Sequence, residues 1–126
     1  MYLADTNVFL EILLSQEKRE ECKKILSNHM GDISLTDFSL HSIGVILFRH
    51  GMGEIFKEFS NDVLPKVNLI TLSKASYKEL PAILKMYGLD FDDAYQFKVA
   101  IENDFEIITL DKDFEKVKGK IKIKTL

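Results

Sequence analysis

Three groups of carboxylates fall where apolar, strand-like runs give way to turns or helices. Asp5 ends Met1-Tyr2-Leu3-Ala4, Asp92-Asp93 opens a helical stretch, and Asp111 with Asp113 follows Ile107-Ile108-Thr109-Leu110. Ligands of open α/β sheets bind outside the carboxyl ends of the strands, so an acid at such a junction occupies a site position. Carboxylates drawn together repel and raise one another's pKa. Mg²⁺ or Mn²⁺, hard cations that take carboxylate and water oxygens, would relieve that repulsion. One such ion, or two about 3.5–4 Å apart, can activate water for in-line attack on a phosphodiester.

Each acid also has a plainer explanation. Asp5-Thr6-Asn7 contains good helix N-caps, with Asn7 able to serve, although a cap needs only one such residue. Asp92 and Asp93 lie in a first helical turn, where the macrodipole favours negative charge by roughly 0.3–1 kcal/mol each. Asp93 also follows Asp90 at capping-box spacing. Asp111 and Asp113 are common turn residues. Recurrence at the same kind of junction is what favours a shared cation site.

Strand-like and helix-like stretches alternate along the chain and must position these acids. Tyr2–Ala4 reads as a strand, followed by a helix with Val8, Phe9, Ile12 and Leu13 at helical spacing. Ser15 is placed to cap a second helix, with Glu17 in its first turn, a stripe of Cys22, Ile25, Leu26 and Met30, and Gly31 as its stop. Ile33–Leu35 is a brief strand, and Thr36 or Asp37 caps a helix to about His50. After Gly51 and Gly53, another helix spans Glu54 to about Asp62, ended by Pro65.

Val67–Leu72 is the next predicted strand. Ser73 and Ser76 both suit capping, but Pro81 would cost a helix interior about 3 kcal/mol or more, which predicts a break near Leu80 and a stop at Gly88. Asp90 caps a helix from Phe91 to about Asn103, and Phe105–Leu110 and Ile121–Thr125 complete the strands. Alternation of this kind implies a parallel sheet with helices on both faces.

The 126 residues suit a single domain, and 46% hydrophobic with 29% charged residues is ordinary for a protein with a real core. No apolar run approaches the roughly 18 residues of a membrane span, and Asp5 and Glu11 interrupt any signal-like start. A lone cysteine, Cys22, excludes an internal disulfide framework and is more simply core than nucleophile; a cytoplasmic location is expected. The net charge of −3 argues against a general nucleic-acid coat protein. Residues 112–126 carry six lysines and two acids, +4 against −7 for the remainder. Lys120, Lys122 and Lys124 read as the charged face of an edge strand, where lysine discourages sheet-to-sheet association.

No glycine-rich nucleotide-binding motif occurs. His29, His41 and His50 lack zinc-ligand spacing, and Tyr77, Tyr87 and Tyr95 read as core or rim residues.

The ordered segments Leu3-Ala4-Asp5-Thr6-Asn7, Phe91-Asp92-Asp93-Ala94 and Ile108-Thr109-Leu110-Asp111-Lys112-Asp113-Phe114 together resemble the PIN domain family, small metal-dependent ribonucleases that include VapC-type toxins. The resemblance runs the whole length, residues 1–126. It implies a three-layer α/β/α fold with a parallel five-stranded sheet in the order 3-2-1-4-5, which sets Asp5 beside Asp111. It further implies Asp5, Asp93 and Asp111 as catalytic metal ligands, Asp92 and Asp113 as neighbouring ligands, and Asn7 and Thr109 as supporting groups. Mg²⁺ or Mn²⁺ is the implied cofactor, RNA the substrate, an antitoxin protein the partner and a homodimer the assembly; that no membrane is involved is expected from the lack of a long apolar run.

The chain departs from the family pattern at one place. A fourth acid, usually Glu, is expected early in the helix after the second strand, and that position falls on Ser42, or on His41 if the register slips by one. Asp37 lies about a turn from His41 and could compensate; a neutral His41 ligand would favour Mn²⁺. The leading expectation is thus an RNA-cleaving phosphodiester hydrolase. The alternative is a catalytically weakened or inactive PIN-fold module that binds RNA or a protein partner. A receiver-like phosphoacceptor domain would want an aspartate ending the third strand, where this chain has Leu72-Ser73.

Overall fold

The protein is described by a computed structural model covering residues 1–126. Five short strands, β1 (Tyr2–Ala4), β2 (Ile33–Thr36), β3 (Asn68–Ile70), β4 (Glu106–Thr109) and β5 (Ile123–Thr125), form one sheet in the order β3-β2-β1-β4-β5. All four pairings are parallel. The family-implied order is therefore the observed one.

Helices cover both faces, and the alternation of strand side chains distributes the core between them. Leu3 and Ile107 point into a layer with Leu80, Tyr95, Phe97, Val99 and Phe114. Their neighbours Ala4 and Ile108 point into the opposite layer, with Val8, Phe9, Cys22, Leu26, Ile43 and Leu47. Full burial of each such Leu or Ile contributes roughly 1.5–3 kcal/mol. The central strands are apolar on both sides because both sides are covered.

The helices are α1 (Thr6–Leu13), α2 (Arg19–Asn28), α3 (Asp37–Arg49), α4 (Gly53–Asp62), α5 (Leu80–Tyr87) and α6 (Phe91–Asn103). Thr36 caps α3 by accepting the Ser39 N–H (3.0 Å), and Asp90 caps α6 by accepting the Asp93 N–H (2.8 Å). Pro81 lies in the first turn of α5, where its missing N–H costs nothing, and a 3₁₀ segment (Lys74–Glu79) precedes it. The expected break near Leu80 is thus a helix start. Gly88, at φ 66°, closes α5 in the left-handed conformation that glycine adopts freely.

Several local expectations are corrected. Ser15 does not cap α2: it sits at φ 52°, and α2 begins at Arg19 behind Lys18, leaving Glu17 outside the helix. Met30 is exposed and beyond α2, whose C-cap is His29 rather than Gly31. Pro65 lies within a 3₁₀ turn (Leu64–Lys66), three residues after α4 has ended. The third strand stops at Ile70 because the Leu72 N–H donates to the Tyr95 hydroxyl (3.0 Å), outside the ladder. The last strand begins at Ile123, and Lys124 is exposed on this edge strand.

Candidate metal centre

The parallel pairing of β1 with β4 places Ala4 opposite Ile108, so the next residues, Asp5 and Thr109, meet at the carboxyl end of the sheet. The Asp5 N–H donates to the Ile108 carbonyl (2.9 Å), which holds the chain there as it turns into α1. Asp5 is 6% exposed, and donors surround its carboxylate. Oδ1 accepts from the Thr6 N–H (2.7 Å) and from Gln96 Nε2 (2.5 Å), and Oδ2 accepts from Thr109 Oγ1 (2.7 Å). Burial pushes the Asp5 carboxyl up, and the bonds from Thr109, Thr6 and Gln96 pull it back without cancelling the shift. Asp5 is also the N-cap residue of α1, the role its plainer reading had given to Asn7.

Asn7 instead reaches across to β4, its Oδ1 accepting the Leu110 N–H (3.2 Å). Thr109 Oγ1 both donates to Asp5 and accepts from the Asp111 N–H (2.9 Å), so one hydroxyl ties the two acids to a common frame. Asp111 Oδ1 accepts the Asp113 N–H (2.8 Å) and caps the 3₁₀ segment Lys112–Val117. The turn explanation is therefore true of Asp111, and it leaves its second oxygen free.

Asp93 completes the group from α6. Asp90 accepts its backbone N–H, but its own carboxylate does not reach back, so only half of a capping box forms. The carboxylate instead lies with Asp111 and Asp113, ligand oxygens of all three falling within 4.8 Å of one another. Asp93 is 7% exposed, and burial first, then Asp90, Asp111, Asp5 and Asp113, pushes its pKa up to about 7. No positive group or donor offsets this, although Lys116 approaches Asp113 at 3.7 Å near the surface.

Asp5 borders this trio without belonging to it, and the remaining candidates stand apart. Asp92 is exposed on α6 and outside the cluster. His41 is exposed and lines a groove with Asp37, Phe38, Gly44 and Phe48 on the outer side of α3. Ser42 is half-buried. The residue of α3 that does reach the β1 turn is Ser39, whose Oγ accepts from Thr6 Oγ1 (2.7 Å).

Sequence reasoning passed over Gln96. It is 2% exposed, one turn along α6 from Asp93, among Ala94, Tyr95, Phe97, Val99 and Ala100. A long polar side chain in a helix buried nearly all round was the available signal. Its Nε2 serves Asp5, while its Oε1 is buried with no hydrogen-bond partner.

Oxygen-only donors, crowded negative charge and an uncompensated buried carboxylate fit a hard divalent cation. A cavity of about 610 Å³ lined by Met1, Phe105, Glu106, Lys120 and Ile121 opens at the opposite end of the strands and contains none of these acids. The carboxyl end is the one that parallel α/β sheets use for ligands.

The PIN domain model matches residues 2–120, and the chain belongs to the PIN domain family. Solved structures agree in fold. A toxin–antitoxin complex from Klebsiella pneumoniae aligns with TM-score 0.78 at 22% identity, over 99% of this chain and 97% of that one. VapC20 of Mycobacterium tuberculosis, a sarcin–ricin loop cleaving toxin, gives TM-score 0.78 at 14% identity over 91% and 93%. VapBC2 from Rickettsia felis, bound to a DNA fragment from its promoter, gives 0.75 at 16% over 99% and 98%. No curated protein sequence matches the chain.

Proposed function

We propose that the chain is a Mg²⁺- or Mn²⁺-dependent endoribonuclease of the VapC kind, the toxin of a toxin–antitoxin pair. The observation that carries this reading is the convergence of Asp93, Asp111 and Asp113 beside buried Asp5 at the carboxyl end of a PIN-fold sheet. Asp93 and Asp111 would hold the cation with Asp5, and Asp113 would flank it. A bound divalent cation supplies charge stabilisation at a scissile phosphate and lowers the pKa of water.

The chain's own residues preorganise the site. Thr6, Thr109 and Gln96 fix Asp5 before any ligand arrives. Thr109 and the Asx turn fix Asp111. Asp93, the one buried acid of the group with no donor on its carboxylate, keeps its oxygens free for a cation. Fixed groups of this kind need no reorganisation as charge develops in the reaction.

The toxin assignment draws on structural neighbours that are toxin–antitoxin complexes. An antitoxin is the corresponding partner, RNA the substrate, a homodimer the assembly and the cytoplasm the location. No helix is long and apolar enough to cross a membrane. Cleavage of single-stranded RNA under Mg²⁺ or Mn²⁺ titration tests the proposal; equal cleavage by wild type and Asp5→Asn would sink it. A second reading, a PIN-fold module without catalysis, is supported by the lack of a carboxylate at Ser42 and by His41 facing a different groove. Metal-dependent turnover lost in Asp93→Asn would remove it.

A further inference from the structure

We infer that Gln96 is a positioning residue of the cation site, its amide nitrogen fixing the Asp5 carboxylate in the orientation that a cation would meet. The inference rests on the cation-dependent reading above and assigns a role to a residue outside the family-like acids.

Gln96 lies three residues after Asp93, so both side chains leave the same face of α6. It bridges two elements distant in sequence: Nε2 meets Asp5 Oδ1 at 2.5 Å. The Asp5 carboxylate accepts hydrogen bonds and has none to give, which fixes the orientation of the amide, nitrogen toward Asp5 and oxygen away. That oxygen is fully buried without a partner, a condition that costs roughly 1–3 kcal/mol.

An amide can donate to a carboxylate from one atom and present an acceptor on another. Glutamate at 96 would offer no donor to Asp5 and would add charge to an already crowded group. Methionine would match the length and offer neither function. The chain therefore keeps an amide whose oxygen is left unpartnered, while its nitrogen holds Asp5 in place. Groups that orient metal ligands in this way typically change metal affinity by about 10–100-fold when removed.

The test is Mn²⁺ titration of the full chain by calorimetry or electron paramagnetic resonance, paired with thermal unfolding in the absence of metal. Gln96→Met is expected to weaken Mn²⁺ binding about tenfold or more, while metal-free melting changes little, because the lost hydrogen bond to Asp5 and the removal of the orphaned acceptor offset one another. A residue with a purely structural role would do the reverse, lowering the metal-free melting temperature and leaving Mn²⁺ affinity unchanged. Should Gln96→Met not remain folded, Gln96→Asn retains the amide one carbon short of Asp5, and the same loss of affinity is expected. Wild-type affinity in either folded variant overturns the inference and leaves the nuclease proposal standing. A wild-type chain that binds no Mn²⁺ overturns both.

Discussion

Two carboxylates on α6, Asp93 in its first turn and Glu102 near its end, have opposite surroundings. Glu102 Oε1 accepts from the hydroxyls of Ser73 (2.6 Å) and Ser76, and Oε2 from the Ser73 N–H (3.3 Å). Desolvation alone would raise Glu102, but those bonds and Lys98 outweigh it and hold the group below its ordinary value. Asp93 has burial and four neighbouring aspartates but no donor, and rises to about 7. One end of the helix is a finished clamp between α6 and the 3₁₀ segment after β3. The other end holds charge that the protein does not neutralise, which is the expected condition of a ligand site.

Asp93→Asn should give the largest contrast. RNA cleavage is expected to fall by about 100-fold or more, beyond the usual effect of removing a group that only orients a ligand. Metal-free stability should rise, because the substitution removes a carboxylate whose ionisation is disfavoured at neutral pH by on the order of 1.4 kcal/mol per pKa unit. Cleavage assays and metal-free melting curves on the same preparation would show the opposed signs.

The pH dependence should separate the two ends next. Between the ordinary carboxylate value of 3.8 and about 7, folded Asp93 retains a proton that the unfolded chain has lost. The folded state therefore binds more protons, and metal-free stability must fall as pH rises through that window. Asp5 and Asp92, also raised, act in the same direction. Saturating Mn²⁺ should flatten the slope. Glu102 has the opposite sign: its contribution is present above its ordinary value of 4.5 and is lost as pH falls through its lowered one. Chemical denaturation across pH, with and without Mn²⁺, reads both.

Glu102→Gln should cost about 1 kcal/mol of stability, the size of an ordinary hydrogen-bond loss, and leave RNA cleavage unchanged. His41→Ala is expected to have the smallest effect, within about 0.5 kcal/mol in stability, as for other surface substitutions. It should leave Mn²⁺ affinity unchanged, since the ring faces the α3 groove rather than the acids. A marked loss of Mn²⁺ binding in His41→Ala would reinstate it as a ligand.

Much of this was legible in the sequence for physical reasons. Strong periodicity and clear caps gave α3 and α6, and Pro81 with Gly88 bounded α5. Strand order was not derivable from local pattern; it came through the family resemblance, because pairing is a long-range property. Ser15 misled because its left-handed backbone, which no local pattern announced, delays α2 to Arg19. At the site, Asp5 and Asp111 were visible at strand ends, whereas the helical register that turns Asp93 inward and leaves Asp92 exposed had to be seen in the fold. Gln96 was hidden by the company it keeps, an amide in an apolar helix whose partner lies 91 residues away.

The most direct measurement is anomalous diffraction at the manganese edge from crystals soaked in Mn²⁺. Density is expected between the carboxylates of Asp93 and Asp111, on the side facing Asp5, and absent from Asp93→Asn crystals. Wild-type crystals with manganese bound elsewhere, or with none at these carboxylates, would contradict a cation site at the carboxyl end of the sheet.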